Sequence, residues 1–265
     1  MPEDRSIPMD GLLEAFAPIS LEEMDAVRLM NRVDTKYLTD NRTLLAVLRD
    51  AAAAGYRVLV AGGARISPYA SVSFDTPGLR MFSDHHNQRL RRQKVRTRAY
   101  VNSGDAFLEI KRKNNRGRTK KKRTAIPMAE LPDFRADAAA CRYLADWSDF
   151  RAEELLPTLE TAFRRITLVN PAMTERITID TDLRFKNFRT GLETDLGDAV
   201  VIELKQDGRS ASAMKGILLD HRVKVARISK YCIAVTLTDP SARSNRFKEK
   251  VRLIEKTINR KITVA

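Results

Sequence analysis

Between Arg89 and Thr124 the chain sets cations at the spacing that a strand would turn to one face. In the segment 91–101 (RRQKVRTRAYV), Arg92, Lys94, Arg96 and Arg98 alternate with Val95, Ala99 and Val101. Alternate side chains of a strand point to the same side, so the cations share one face and the aliphatic residues the other. The segment 106–113 (AFLEIKRK) repeats the pattern, with Phe107, Glu109, Lys111 and Lys113 opposite Leu108 and Ile110. Such arrays suit phosphate, because an arginine fork matches two phosphate oxygens at once. The interleaved acid suits a divalent ion instead: Mg²⁺ or Mn²⁺ takes a few carboxylates and completes its shell with substrate oxygens.

The elements that must carry these residues read as a β-meander. Gly104 and Asp105 supply one turn, and the run 114–117 (NNRG) supplies the next, leading into RTKKKRTAIPM. The same alternation recurs far away in the chain. Arg176, Thr178, Asp180 and Asp182 oppose Ile177 and Ile179; Val201, Glu203 and Lys205 oppose Val200, Ile202 and Leu204. Near the start, Arg32, Asp34 and Lys36 oppose Val33 and Tyr37. In the extended segment LPTLETAFRRITLV, Arg164 and Arg165 are adjacent, so one must point each way.

Aliphatic faces need cover, and amphipathic stretches supply it at Asn41–Ala54, Phe134–Trp147, Ala211–Asp220 and Ser244–Thr257, the last with Ser244 as N-cap. Helices on the outside leave the charged faces inward if the sheet closes. The expected fold is therefore α+β: an antiparallel β-barrel forming a tunnel with a polar, cationic lumen, surrounded by helices. Three segments follow: a helical lead-in over 1–30, the tunnel barrel over 31–240, and a C-terminal helix over 241–265 packing on the barrel. Eight cations fall on the lumen faces: Lys36, Lys94, Arg96, Arg98, Lys111, Lys113, Arg176 and Lys205. Two like charges about 6 Å apart at an effective dielectric near 20 repel by about 3 kcal/mol, so such a lumen calls for a narrow polyanion.

Composition bounds the alternatives. The chain has 265 residues, 43% of them hydrophobic, and a net charge of +14. Fifteen Lys or Arg against two acids between Arg89 and Thr124 account for nearly all of that excess. No run of apolar residues is long enough to span a bilayer, and the acidic start MPEDRS does not read as a secretory signal. Two cysteines exclude a disulfide framework or a Cys-rich zinc site, and three histidines argue against a His-built metal centre. The expectation is a cytoplasmic protein. Adjacent His85 and His86 diverge on any strand or turn and are read as hydrogen-bonding groups; Asp75 is read as orienting the turn before Pro77, and Trp147 as core. In the run Lys120–Arg123 cations fall on both parities, so half of them face solvent.

The pieces NRVDTKYL, SVSFDTPGLRMFSDHHN with RLRRQKVRTRAY, FLEIKRKNNRGRTKKKR, RITIDTDL, VIELK and SKY stand in one order over about Asn31–Tyr231. Together they resemble the VTC (vacuolar transporter chaperone) polyphosphate polymerase domain, one of the triphosphate tunnel metalloenzymes. The resemblance implies transfer of the terminal phosphoryl group of ATP onto inorganic phosphate or polyphosphate, with Mn²⁺ or Mg²⁺. It assigns Lys36, Arg96, Arg98 and Arg176 to the clamp on the triphosphate, and Lys111, Arg165, Lys205 and Lys230 to substrate and product binding, to which the strand faces add Lys94 and Lys113. Glu203 is implied as the metal ligand. Arg164 is the other candidate for the place given to Arg165, and whether Asp34 or Glu109 touches metal stays open. Where many tunnel enzymes open with two glutamates and a lysine, Arg32, Asp34 and Lys36 stand here, which favours polymerase over hydrolase. The competing functions are a metal-dependent triphosphatase and a non-catalytic binder of polyphosphate or nucleic acid. Interleaved acids and an aromatic content of 6% disfavour nucleic acid. A membrane-protein partner that exports product is compatible with the polymerase reading.

Overall fold

The computed structural model describes residues 7–25, 32–208 and 211–265. These form one sheet of twelve strands: β1 (Ala17–Ile19), β2 (Arg32–Asp40), β3 (Arg57–Leu59), β4 (Ser67–Asp75), β5 (Arg92–Tyr100), β6 (Asp105–Lys113), β7 (Thr119–Ile126), β8 (Leu156–Val169), β9 (Glu175–Asn187), β10 (Glu193–Asp195), β11 (Ala199–Asp207) and β12 (Lys224–Val225). Eight helices accompany it: α1 (Ile7–Leu13), α2 (Leu21–Asp25), α3 (Asn41–Ala53), α4 (Arg80–His86), α5 (Ala138–Trp147), α6 (Ala213–Asp220), α7 (Lys230–Thr238) and α8 (Asn245–Thr257). The lead-in expected over 1–30 falls partly on residues 1–6 and 26–30, outside the described residues.

The main path runs β12-β2-β11-β9-β8-β4-β5-β6-β7, and every neighbouring pair along it is antiparallel. Its two ends, β12 and β7, do not pair, so the sheet curls without closing into the barrel expected from the alternation. Two features account for the open seam. β12 is two residues long and offers almost no ladder. β7 carries exposed cations on both faces, Lys120 and Lys122 as well as Lys121 and Arg123, so its edge has no apolar face to bury against a partner.

The convex side of the curl is aliphatic and covered by helices. Leu44, Val47 and Leu48 of α3 and Met214 and Leu218 of α6 pack with Ile177, Ile179, Val200, Ile202 and Leu204. Phe134, Ala140 and Leu144 cover Val72, Val95, Leu108 and Ile110 on the other half. Fully burying each such side chain contributes about 1.5–3 kcal/mol, which is what forces the charged faces inward. Two helices escape sequence patterning. In α7 (KYCIAVTLT), Cys232, Ile233, Ala234, Val235 and Thr238 are all buried, and a helix enclosed on most sides has no polar stripe to betray its period. α4 carries His85 and His86 on a helix, where a strand followed by a turn was expected. Asp75, fully buried, starts α4 by accepting from the backbone N–H groups of Met81 (2.8 Å) and Phe82 (2.9 Å).

Ser244 stands at the N-cap of α8, but its side chain makes no capping hydrogen bond, unlike Asp40, whose carboxylate accepts from Thr43 N at 2.7 Å. Asp40→Ala is therefore expected to cost about 1 kcal/mol and Ser244→Ala under about 0.5 kcal/mol in thermal denaturation.

Candidate active site

The concave side of the sheet encloses a cavity of about 930 Å³. β5 brings Lys94, Arg96 and Arg98 to its wall, and β6 brings Lys111 and Lys113. β2 adds Lys36, β8 adds Arg165, β9 adds Arg176, and β11 adds Glu203 and Lys205. Lys230 enters from the first turn of α7. Every candidate site residue of the sequence thus lines one cavity. Arg165 is the inward member of its pair; Arg164 points away and lies 3.8 Å from Asp182. Asp182 itself leaves the lumen face on which alternation placed it. A register shift between Ala162 and Arg164 and a left-handed backbone at Asp182 (φ 52°) interrupt the alternation there. The side chain of Arg32 lies outside the described residues.

Register converts the facing strands into ion pairs. Lys36 stands opposite Glu203 across β2 and β11, with 3.2 Å between Nζ and Oε1; Lys205 donates to the other carboxylate oxygen at 2.7 Å. Arg96 stands opposite Glu109 and donates twice to Oε2, from Nε at 2.8 Å and Nη2 at 2.6 Å, while Lys121 takes Oε1. Arg165 stands opposite Asp180 and grips it through Nε (2.6 Å) and Nη2 (2.8 Å), with Lys230 also on Oδ2. Each of these three carboxylates, two of them buried and Glu203 half-buried, therefore serves two cations. Burial alone would raise their pKa values, but Lys36 and Lys205 hold Glu203 well below the usual carboxylate range. Arg96, Arg98 and Lys121 do the same for Glu109, and Lys230 and Arg165 for Asp180.

The acids are outnumbered. Among the described residues thirteen Lys or Arg line the cavity against five carboxylates. Lys94, Arg98 and Lys111 make no ion pair there. Desolvation within the cavity, reinforced by the neighbouring cations, pulls the Lys111 ammonium down to about 7; Lys94, an exposed residue, is shifted in the same direction. The Arg98 guanidinium, only 8% exposed, is brought down to about 10 by burial and by Arg96 and Arg165, and its Nε donates to Ser71 Oγ at 3.2 Å. An anion with several oxygens satisfies all three. His85 also lines the cavity; burial and then Lys94 push its imidazole down to about 3, so it stays neutral beside the cations.

The part played by Asp180 is signalled in the sequence only by its parity with Arg176. The sequence does not place Lys121 and Arg123 on the cavity wall, since alternation in an all-cationic run cannot say which half is inside. Nor does it place the aromatic side chains Tyr69 and Phe163 in the lumen.

Among the described residues no group of three or more His, Cys, Asp or Glu converges as a metal site, and no helix is long and apolar enough to cross a membrane. The donor set nevertheless fits a divalent ion that arrives with its substrate. Glu203 is ionised and faces the lumen, and Mg²⁺ or Mn²⁺ characteristically binds one or two carboxylates together with phosphate oxygens.

Fold and lining define the class: a curled antiparallel sheet around a cationic tunnel, clad in helices. The chain belongs to the VTC domain family, which matches residues 31–238. Family and lining together support an enzyme acting on triphosphates. No curated protein matches the chain. Similar solved structures include a candidate adenylate cyclase from Bacillus halodurans, 13% identical with a TM-score of 0.49, covering 76% of this chain and 96% of that one. Another is a candidate adenylyl cyclase from Hippeastrum with a dominant triphosphatase activity, 14% identical with a TM-score of 0.45, covering 77% of this chain and 94% of that one.

Proposed function

We propose that the protein is an ATP-dependent polyphosphate polymerase, moving the terminal phosphoryl group of ATP onto phosphate or a growing polyphosphate chain. The observation that carries this reading is the composition of the lumen: a surplus of cations, with the buried acids Glu109 and Asp180 already committed to ion pairs and Glu203 left as the acid for a metal. A hydrolase must position and activate water, and carboxylates grouped around metal are the usual means. A polymerase needs no such base, because its nucleophile is already an anionic phosphate oxygen. What it needs is alignment of two polyanions and neutralisation of charge during transfer.

In this reading Arg96, Arg98, Arg176 and Lys36 clamp the triphosphate, and Lys94, Lys111, Lys113, Arg165, Lys205 and Lys230 hold the acceptor and line the product path. Arg98 and Lys111 have donors to spare and bind oxygens directly. Arg96 and Arg165 are oriented by Glu109 and Asp180, so their remaining N–H groups are fixed before substrate arrives. Glu203 would hold the divalent ion, Mn²⁺ or Mg²⁺, which supplies charge neutralisation on the bridged phosphate oxygens. A cytoplasmic site of action and a membrane-protein partner for export are compatible with this reading.

Incubating purified protein with ATP and Mn²⁺ tests it. Long-chain polyphosphate on a gel without matching free phosphate is the expected result. Free phosphate alone would establish the triphosphatase instead, and neither product would leave a binding domain.

A pH dependence follows from the lysines. Lys111 titrates near 7 and Lys94 is shifted the same way, both below the unfolded value of about 10.4, so the cost of desolvating their ammoniums weakens the ligand-free fold fully below pH 7 and is relieved as pH rises. The ligand-free melting temperature is therefore expected to rise between pH 6.5 and pH 9. A bound polyanion restores the charged ammoniums, so stabilisation by inorganic triphosphate should shrink over the same interval. Thermal denaturation with and without triphosphate reads both trends.

A further inference from the structure

Two rings sit among the cations of the lumen. Tyr69 on β4 and Phe163 on β8 are directly opposite in the register, with centroids 5.3 Å apart and planes 15° from parallel. The Arg165 guanidinium carbon lies 4.8 Å from the Tyr69 ring centre and 5.1 Å from that of Phe163. The corresponding distances for Arg98 are 5.5 Å and 5.9 Å. Lys230 Nζ lies 4.3 Å from the Phe163 centre. Three cations of the cavity thus rest on one aromatic floor. Arg165 and Lys230 also have Asp180, but among the described residues the Arg98 guanidinium hydrogen-bonds only to Ser71.

We propose that Tyr69 and Phe163 are positioning residues for the anion clamp, holding Arg98 and Arg165 by their π faces so that in-plane donors stay free for phosphate oxygens. The physical reason lies in how a guanidinium can be restrained. A carboxylate fixes an arginine by occupying its N–H donors, and each donor so used is lost to substrate. A ring face fixes the same group through its quadrupole and leaves the edge of the plane open. It adds no negative charge, so the lumen keeps its attraction for polyanions. Arg98 is the clear beneficiary: a buried cation with no ion pair among the described residues, kept in place by Ser71 and by two rings. These rings are not a platform for stacking a nucleobase, since the protein's own cations already lie over them. The inference rests on the anion-clamp part of the proposed function and is independent of whether polymerisation or hydrolysis follows.

Binding of inorganic triphosphate, measured calorimetrically without metal, tests the proposal. Tyr69→Leu is expected to weaken binding about tenfold, whereas Tyr69→Phe, which keeps the ring, binds like the parent. In an Arg98→Met background the effect of Tyr69→Leu should shrink to under about threefold, because Arg165 keeps its grip on Asp180 without the ring and the ring's effect runs chiefly through Arg98. Parent-like binding by Tyr69→Leu, or an equal loss in both backgrounds, overturns the proposal. A spectroscopic measurement stands even if Tyr69→Leu folds poorly. The Arg98 Nε–H resonance of the full-length parent, assigned by its loss in Arg98→Met, should show a ring-current shift, and its absence also overturns the proposal. Failure of the parent to bind triphosphate at all would overturn the clamp itself, a result distinct from parent binding that is indifferent to the rings.

Discussion

Replacing Glu203 with Gln is expected to lower Mn²⁺-dependent turnover of ATP by about 10²–10³-fold, the range seen when one preorganised charge-stabilising group is removed. Binding of triphosphate without metal should persist or tighten. In the parent, Glu203 occupies Lys36 and Lys205 at 3.2 and 2.7 Å; a neutral amide releases both ammoniums to the ligand and removes one negative charge from the lumen. The two readouts move in opposite directions only if the carboxylate acts on the metal. Full turnover in the variant would refute the metal assignment. Loss of both turnover and binding would mean that Glu203 serves chiefly to orient its two lysines. Steady-state assays with Mn²⁺ and calorimetry in chelator separate these results.

Asp180→Ala is expected to have the largest effect on stability. Its side chain is 5% exposed and holds Arg165 and Lys230, themselves 14% and 22% exposed. Removing one partner of a buried ion pair typically costs about 3–5 kcal/mol, because the remaining charge stays buried without compensation. Here two cations are stranded. At about 2–4 °C per kcal/mol for a chain of this size, the melting temperature should fall by roughly 6–20 °C. Polyphosphate should restore part of the loss, since ligand oxygens can take the vacated place; at 1,000 times Kd, linkage supplies about 4 kcal/mol. Asp182→Ala is the control. Asp182 and its partner Arg164 are 43% and 41% exposed and 3.8 Å apart, and an exposed pair contributes under about 1 kcal/mol. Equal destabilisation by the two variants would contradict the inward and outward assignment of these neighbouring acids.

These two aspartates also mark how far the strand pattern could be read. Alternation placed both on the lumen face. It held at Arg176, Thr178 and Asp180, which line the cavity, and failed at Asp182 beyond the register shift. A bulge depends on how two strands are paired, and nothing in one strand's own alternation reports it. The same limit applies to closure. Inward cations and outward aliphatics are compatible with a closed barrel and with a curl, and the difference lies in whether β7 finds a partner. Helices were legible where only one side is buried, as in α3 and α8, and illegible where nearly every side is, as in α7.

What the amino-acid order determined by itself was the sidedness of the long strands. Side-chain direction along a strand repeats every two residues, a local property, so the cationic face of β5 and β6 and the acid on β11 follow without knowledge of neighbours. The tertiary structure alone decided which cation meets which acid, that Arg165 and not Arg164 enters the cavity, and that Tyr69 and Phe163 lie beneath Arg98. Those relations are set by register between segments distant in sequence, where a shift of one residue would turn every side chain to the opposite face.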